Sequence, residues 1–262
     1  METMIVYLLV GAFAGVLAGL LGVGGGLIIV PALALVFHQQ GVADAVIMHL
    51  AIGTSLASIV LTSLSSMYAH HRRGAVHWSA FRGLTPGIVI GALAGAAVAD
   101  RMPSHALRVF FGVFVLVVAA QIAFNLMAAP HRQLPGKPGL AAAGGVIGLL
   151  SSIVGIGGGS LTVPFLVWCN LNIRQAVATS SACGFPIAVA GATGFVLAGW
   201  NTSGLPPYSS GYLYWPAQLG IAFASVALAP LGARLAHSLP TGVLRKLFAV
   251  FLVVIGLRML LG

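Results

Sequence analysis

The stretch GVGGGLIIVP at residues 22–31 returns as GIGGGSLTVP at residues 155–164. In each copy the glycines precede an apolar segment of only about a dozen residues, which as a helix would rise about 18 Å. The hydrocarbon core of a bilayer is about 30 Å thick. The two stretches therefore predict an internal repeat with one short half-helix, preceded by glycines, in each half.

The rest of the chain has the composition of a membrane protein. Of its 262 residues 59% are hydrophobic and 6% are charged, whereas soluble domains carry about 25% charged residues. The apolar runs show no period-two alternation, so helices rather than strands satisfy the backbone in lipid. We predict an all-α integral membrane protein with ten apolar segments, at residues 4–22, 26–38, 45–68, 79–99, 105–127, 139–156, 160–170, 173–198, 212–233 and 242–261.

The repeat continues beyond the glycine motifs. Thr54-Ser55 falls opposite Thr179-Ser180, and MPSHALRVFFGVF from Met102 falls opposite LPTGVLRKLFAVF from Leu239. We therefore predict one membrane domain made of an N-terminal repeat, 1–128, and a C-terminal repeat, 139–262, joined by the linker 129–138. Five segments per half make the repeats inverted, with eight to ten transmembrane helices in all.

Loop charges predict the orientation. The chain has a formal net charge of +9, and the loop 69–78 contains Arg72 and Arg73, whereas its repeat mate, 199–211, has no charged residue. Basic loops of membrane proteins favour the cytoplasm, so both termini are predicted to be periplasmic. This distribution explains the basic excess without a nucleic-acid partner.

The glycine runs are the strongest candidates for a binding site. Short, glycine-interrupted segments at matching places in inverted halves indicate the substrate site of transporters. Glycine permits close approach of a ligand to the backbone, and a helix N-terminus attracts anions. The alternative is that these glycines only let helices pack closely. The candidate ligands are the backbone groups of Gly24, Gly25, Gly26, Gly157, Gly158 and Gly159.

Hydroxyl groups near mid-membrane are the second set of candidates, because they can donate hydrogen bonds to anion oxygens. They belong to Thr54, Ser55, Thr179 and Ser180. His49 is an intramembrane ionisable residue, for which proton coupling and hydrogen-bonded packing are both open. His70, His71 and His77 share a basic loop without Cys or carboxylate ligands, so we predict no metal site and no cofactor.

These features together resemble the TauE/SafE sulfite exporter family, also called TSUP and formerly DUF81. The resemblance rests on the duplicated glycine motif with its proline, on GTSL at residues 53–56, and on a small chain of about eight helices. It implies a bacterial inner-membrane protein that moves sulfite, sulfonates such as sulfoacetate, or related anions. It marks as functional Gly22, Gly24, Gly25, Gly26, Pro31, Thr54, Ser55, Gly155, Gly157, Gly158, Gly159, Pro164, Thr179 and Ser180. The second half reads ATSS where the first reads GTSL, so the two half-sites need not contribute equally.

We therefore expect a multi-pass secondary transporter of a small sulfur-containing anion that works by alternating access. An anion channel and a carrier of small organic carboxylates are the alternatives. An enzyme is not expected, because the apolar segments contain no paired carboxylates, catalytic triad or metal-ligand cluster. The expected partners are the small anionic substrate and the lipid bilayer, and a homodimer is left open.

Overall fold

A computed structural model describes residues 2–21, 25–124, 132–238 and 241–261. The elements follow one another along the chain as α1 (Glu2–Leu21), α2 (Gly26–Gln39), α3 (Asp44–Arg72), α4 (Trp78–Arg101), α5 (Ser104–Ala123), α6 (Lys137–Val154), α7 (Gly159–Trp168), α8 (Ile173–Ala198), β1 (Ser209–Ser210), β2 (Leu213–Tyr214), α9 (Trp215–Ser238) and α10 (Thr241–Leu261). The prediction of an all-α membrane protein is confirmed.

Five helices of the described chain, namely α3, α4, α5, α6 and α8, are long and apolar enough to cross a membrane. Helices α1, α9 and α10 also have spanning lengths of 20, 24 and 21 residues. By contrast, α2 has 14 residues and α7 has 10, which correspond to about 21 and 15 Å of rise. Each of these two helices is therefore shorter than the hydrocarbon core of a bilayer, about 30 Å, as the sequence predicts.

Equivalent helices of the two halves run antiparallel. Along the α3–α8 contact Gly53 lies against Phe195, Gly191 against Leu56, and Gly184 against Ser63. Along this contact the residue numbers of α3 increase while those of α8 decrease, so the two helices are antiparallel. The packing of α5 against α10 follows the same rule, since Gly112 contacts Leu260 whereas Leu116 contacts Gly256. The two halves are thus inverted and interleaved.

Glycines hold the remaining long helices together in two equivalent pairs. In α4, Gly87 and Gly91 lie directly on the backbone of Ala141 and Gly145 in α6. In the other pair, Gly11 and Gly15 of α1 lie on the backbone of α9. Contacts of this closeness use small residues because helices in lipid gain little from hydrophobic burial and depend on packing.

A short hairpin precedes α9. Ser209 and Ser210 pair antiparallel with Tyr214 and Leu213, and Gly211 makes the turn with a φ of 54°. The sequence places the ninth apolar segment from residue 212, whereas the helix begins at Trp215. The difference arises because Tyr212 and Leu213 are apolar and buried but belong to the hairpin, which lies against Gly53 of α3.

Candidate functional site

The second glycine loop links the end of α6 to the start of α7 through two left-handed residues. Gly155 ends α6 with a φ of 78°, and its N–H donates to Ser151 O at 2.9 Å and to Ser152 O at 3.2 Å. Gly158 has a φ of 76° and forms the N-cap of α7. Residues other than glycine rarely adopt this conformation, so the backbone of this loop requires glycine at both positions.

Two hydroxyl groups converge on Gly158. A Cβ atom at this position would lie 3.3 Å from Thr162 Oγ1 and 3.5 Å from Ser151 Oγ. Both side chains are completely buried, and neither hydroxyl finds a hydrogen-bond partner within the described residues. Buried polar groups normally have partners, so this pair of hydroxyls is available to a bound ligand.

The N-terminus of α7 adds backbone donors at the same place. No side chain caps the helix, and the first N–H groups bonded within it are those of Leu161 and Thr162, which donate to Gly158 O at 3.1 and 2.8 Å. The preceding N–H groups of Gly159 and Ser160 belong to the unpaired first turn that every helix leaves. Ser160 Oγ is also buried and has no partner in the part of the chain that the structure describes.

The first half supports this loop from the opposite side. Ser55 Oγ donates to Gly155 O at 2.9 Å, and Gly26, the first residue of α2, lies directly against the same carbonyl. The start of α2 therefore lies against the loop that precedes α7. Because Ser55 uses its one hydroxyl proton on Gly155 O, this serine positions the loop in this conformation.

Thr54 and Thr179 make equivalent contacts across the two halves. Thr54 Oγ1 accepts the backbone N–H of Tyr214 at 3.0 Å, and Thr179 Oγ1 accepts the backbone N–H of His77 at 2.9 Å. Tyr214 and His77 each come directly before a helix, α9 or α4, that begins with tryptophan. Each threonine thus holds the start of a helix from the other half.

His49 contacts the end of α4 and the hairpin. Its Nε2 lies 3.0 Å from Ala99 O and 3.1 Å from Met102 O, so Nε2 carries the proton and donates to carbonyls at the end of α4. The ring also stacks on Tyr212, with centroids 4.9 Å apart. His49 Nδ1 is buried and finds no partner among the described residues. These contacts fix the ring some distance along α3 from Ser55 and the glycine loop.

The other sequence candidates are less uniform. Gly24 lies outside the described residues. Gly25 has an ordinary right-handed φ of −67°, unlike its repeat mate Gly158, and Gly157 lies between Ile59 and Gly184. Ser180 is buried, and its hydroxyl has no partner among the described residues. The structure therefore places Gly26, Ser55 and the second loop together, while the two half-sites differ in geometry.

Sequence reasoning missed the hydroxyls of Ser151, Ser160 and Thr162. A signal for two of them was present, because GIGGGSLTVP has Ser160 and Thr162 where GVGGGLIIVP has Leu27 and Ile29. The repeat mates of Ser151 and Ser152 are likewise Ala18 and Gly19. The polar groups are thus concentrated in the second half.

Two inverted halves around a buried, glycine-lined helix N-terminus define the class of this protein as a multi-pass helical membrane transporter. The chain belongs to the sulfite exporter TauE/SafE family, whose model matches residues 7–259. It is 38% identical over 255 residues to a probable membrane transporter protein of Haemophilus influenzae, with 97% of each chain covered. It is 30% identical over 259 residues to one of Methanocaldococcus jannaschii, covering 97% of this chain and 94% of that protein. No solved structure matches the chain.

Proposed function

We propose that this transporter binds a small sulfur-containing anion, such as sulfite or a sulfonate of the sulfoacetate type, at the second glycine loop. The observation that carries the proposal is the convergence of Ser151 Oγ and Thr162 Oγ1 on Gly158 at the start of α7. Neutral donors and a helix N-terminus can hold an anion without the large cost of burying a cationic side chain.

The first half serves this site as a support. Ser55 holds Gly155, and Gly26 brings the start of α2 against the same residue. The repeat mates of Ser160 and Thr162 are aliphatic, so the first loop offers fewer donors of its own. An anion therefore binds mainly to the second repeat and not midway between the two repeats. Alternating access exposes this one site in turn to the two sides of the bacterial inner membrane. The basic loop at residues 69–78 faces the cytoplasm in this proposal, which places both termini in the periplasm.

Binding measurements on purified protein test the site. Isothermal titration calorimetry with sulfite, sulfate, thiosulfate, sulfoacetate, taurine and small carboxylates should show higher affinity for the sulfur anions than for the carboxylates. Thr162→Val and Ser151→Ala should each weaken binding by about tenfold, because each removes a hydrogen bond to a charged group. Ser58→Ala is the matched control, since the buried Ser58 hydroxyl donates within its own helix to Thr54 O.

Unchanged affinity in both folded variants would place the anion elsewhere. Preferential binding of carboxylates would contradict the proposed substrate class but would leave the proposed binding site in place. Proteoliposomes separate a carrier from a channel: trans substrate should accelerate uptake of labelled anion by a carrier, and uptake should saturate. Non-saturating flux without counterflow would identify an anion channel.

A further inference from the structure

A cavity lies away from the glycine loop, between α2, the start of α3, the start of α5 and the end of α10. Its volume is about 940 Å³, at the upper end for a site that holds a drug-sized ligand. A sulfite-sized anion would leave most of it empty. We call this cavity the α2–α10 cleft.

One end of the cleft is basic. Arg108 of α5 and Arg258 of α10 line it together with His38, His105 and Asp44. Asp44 is the one carboxylate that lines the cleft, and it lies 3.3 Å from His38. Within the described residues neither guanidinium group is within ion-pair distance of a carboxylate. Arg108 Nε is shielded from solvent and has no hydrogen-bond partner within the described residues. This end of the cleft therefore favours an anion.

The other end of the cleft is apolar. Phe251 and Ile255 line it from α10 and Phe13 from α1, and the rings of Phe13 and Phe251 lie 5.7 Å apart. Phe251 is seven residues from Arg258, so the apolar part extends about 10 Å along α10 from the basic end. Phe13 is half exposed, which leaves this part accessible from the side of the helix bundle.

We propose that the α2–α10 cleft binds an anionic phospholipid, with the phosphate at the Arg108 and Arg258 end and an acyl chain along Phe13, Phe251 and Ile255. Guanidinium groups bind phosphate in a bidentate, charge-assisted manner. The chain is embedded in bilayer lipid, which supplies this ligand in excess. The proposal goes beyond the small-anion site, because it concerns a different cavity and a different ligand.

A lipid in this cleft would also support α2. This short helix carries the first glycine motif and packs on α3, while the cleft separates much of its other side from α10. An empty cavity leaves its lining without van der Waals partners. An acyl chain would supply them and would hold α2 against Gly155.

Native mass spectrometry of the full chain in mild detergent tests the proposal. Phosphatidylglycerol should bind at least about tenfold more tightly than phosphatidylcholine with the same acyl chains, because only the former carries a net negative charge. The double variant Arg108→Gln/Arg258→Gln should lose that preference, and Arg108→Lys should keep part of it. Arg101→Gln is the matched control, since Arg101 is exposed near the same end of the bundle but does not line the cleft.

Size-exclusion profiles would verify that each variant is folded. An equal lipid preference in the double variant, or an equal loss in Arg101→Gln, would overturn the proposal. Octanesulfonate, a soluble amphiphilic anion, tests the alternative that the cleft binds such anions instead of a lipid. If octanesulfonate binds in an arginine-dependent manner and phosphatidylglycerol does not, the cleft is a subsite for such anions and the lipid assignment is wrong.

Discussion

Thr54 Oγ1 accepts the backbone N–H of Tyr214 at 3.0 Å, which ties the middle of α3 to the residue before α9. Thr179 and His77 form the equivalent bond between α8 and the start of α4. Both threonines are completely buried, whereas Tyr214 and His77, which donate these bonds, are partly buried. Two of the four hydroxyls that the sequence offers as anion ligands, those of Thr54 and Thr179, thus already accept structural hydrogen bonds.

Thr54→Val and Thr179→Val should therefore act mainly on stability. Each keeps the side-chain shape, removes the acceptor of one partly buried N–H and should lower the free energy of unfolding by about 0.5–1.5 kcal/mol. Thr→Ser at either position keeps the acceptor and should cost less. Denaturant unfolding of the purified protein measures both. Weakened sulfite binding at full stability would instead make these hydroxyls direct ligands.

Gly158→Ala and Gly25→Ala compare the two glycine loops at equivalent positions of the repeat. At Gly158 the added methyl group meets Ile187 and enters the space beside Thr162 Oγ1, and a left-handed alanine costs about 1–2 kcal/mol. Sulfite affinity should fall at least about tenfold. At Gly25, where φ is −67° and the nearest side-chain atom is the flexible end of Ile29, affinity should stay within about twofold. Equal losses in two folded variants would contradict a site that lies mainly on the second repeat.

Gly91→Val tests the packing glycines. Its Cβ would meet the backbone carbonyl of Gly145, and because backbone cannot rotate away, α4 and α6 would have to separate. Overpacking of this kind costs about 1–3 kcal/mol or more. We expect a lower unfolding midpoint and a smaller monodisperse fraction. Gly136→Ala, whose nearest neighbour is 3.8 Å from the new Cβ, should match the unmodified protein.

Two substitutions distinguish the two interpretations of His49, hydrogen-bonded packing and proton coupling. His49→Leu removes the donor to Ala99 O and Met102 O and should cost about 1–3 kcal/mol of stability, whereas His49→Gln retains an N–H donor and should recover part of it. Transport by His49→Gln should keep the pH profile of the unmodified protein. A flattened profile in this folded variant would assign proton coupling to His49.

The short helices were predictable because their signal is local. Glycines before an apolar run and a proline within it locate α2 at residues 26–38 and α7 at residues 160–170, and the structure has them at Gly26–Gln39 and Gly159–Trp168. The partners of the hydroxyls were not predictable. Whether Thr54 faces an anion or the N–H of Tyr214 depends on where residues 160 positions away fold, and no local pattern records that.

Only part of the candidate site could be predicted from the sequence. Ser160 and Thr162 stand out once the two glycine motifs are compared with each other, because their repeat mates Leu27 and Ile29 are apolar. Ser151 lies before the glycine motif and inside an apolar helix, so a comparison of the two motifs alone does not include it, although its repeat mate is Ala18. The hairpin at residues 209–214 was missed because its apolar residues merge with those of the following helix.

The crossed threonine bonds bear on how such a chain could arise. If a single five-segment polypeptide inserted into the membrane in both orientations and paired with itself, one threonine would make the same bond twice, once in each direction. Duplication and fusion of its gene would preserve both bonds while freeing the two copies to diverge. Polar residues could then accumulate beside one glycine loop, and the other loop could become purely supportive.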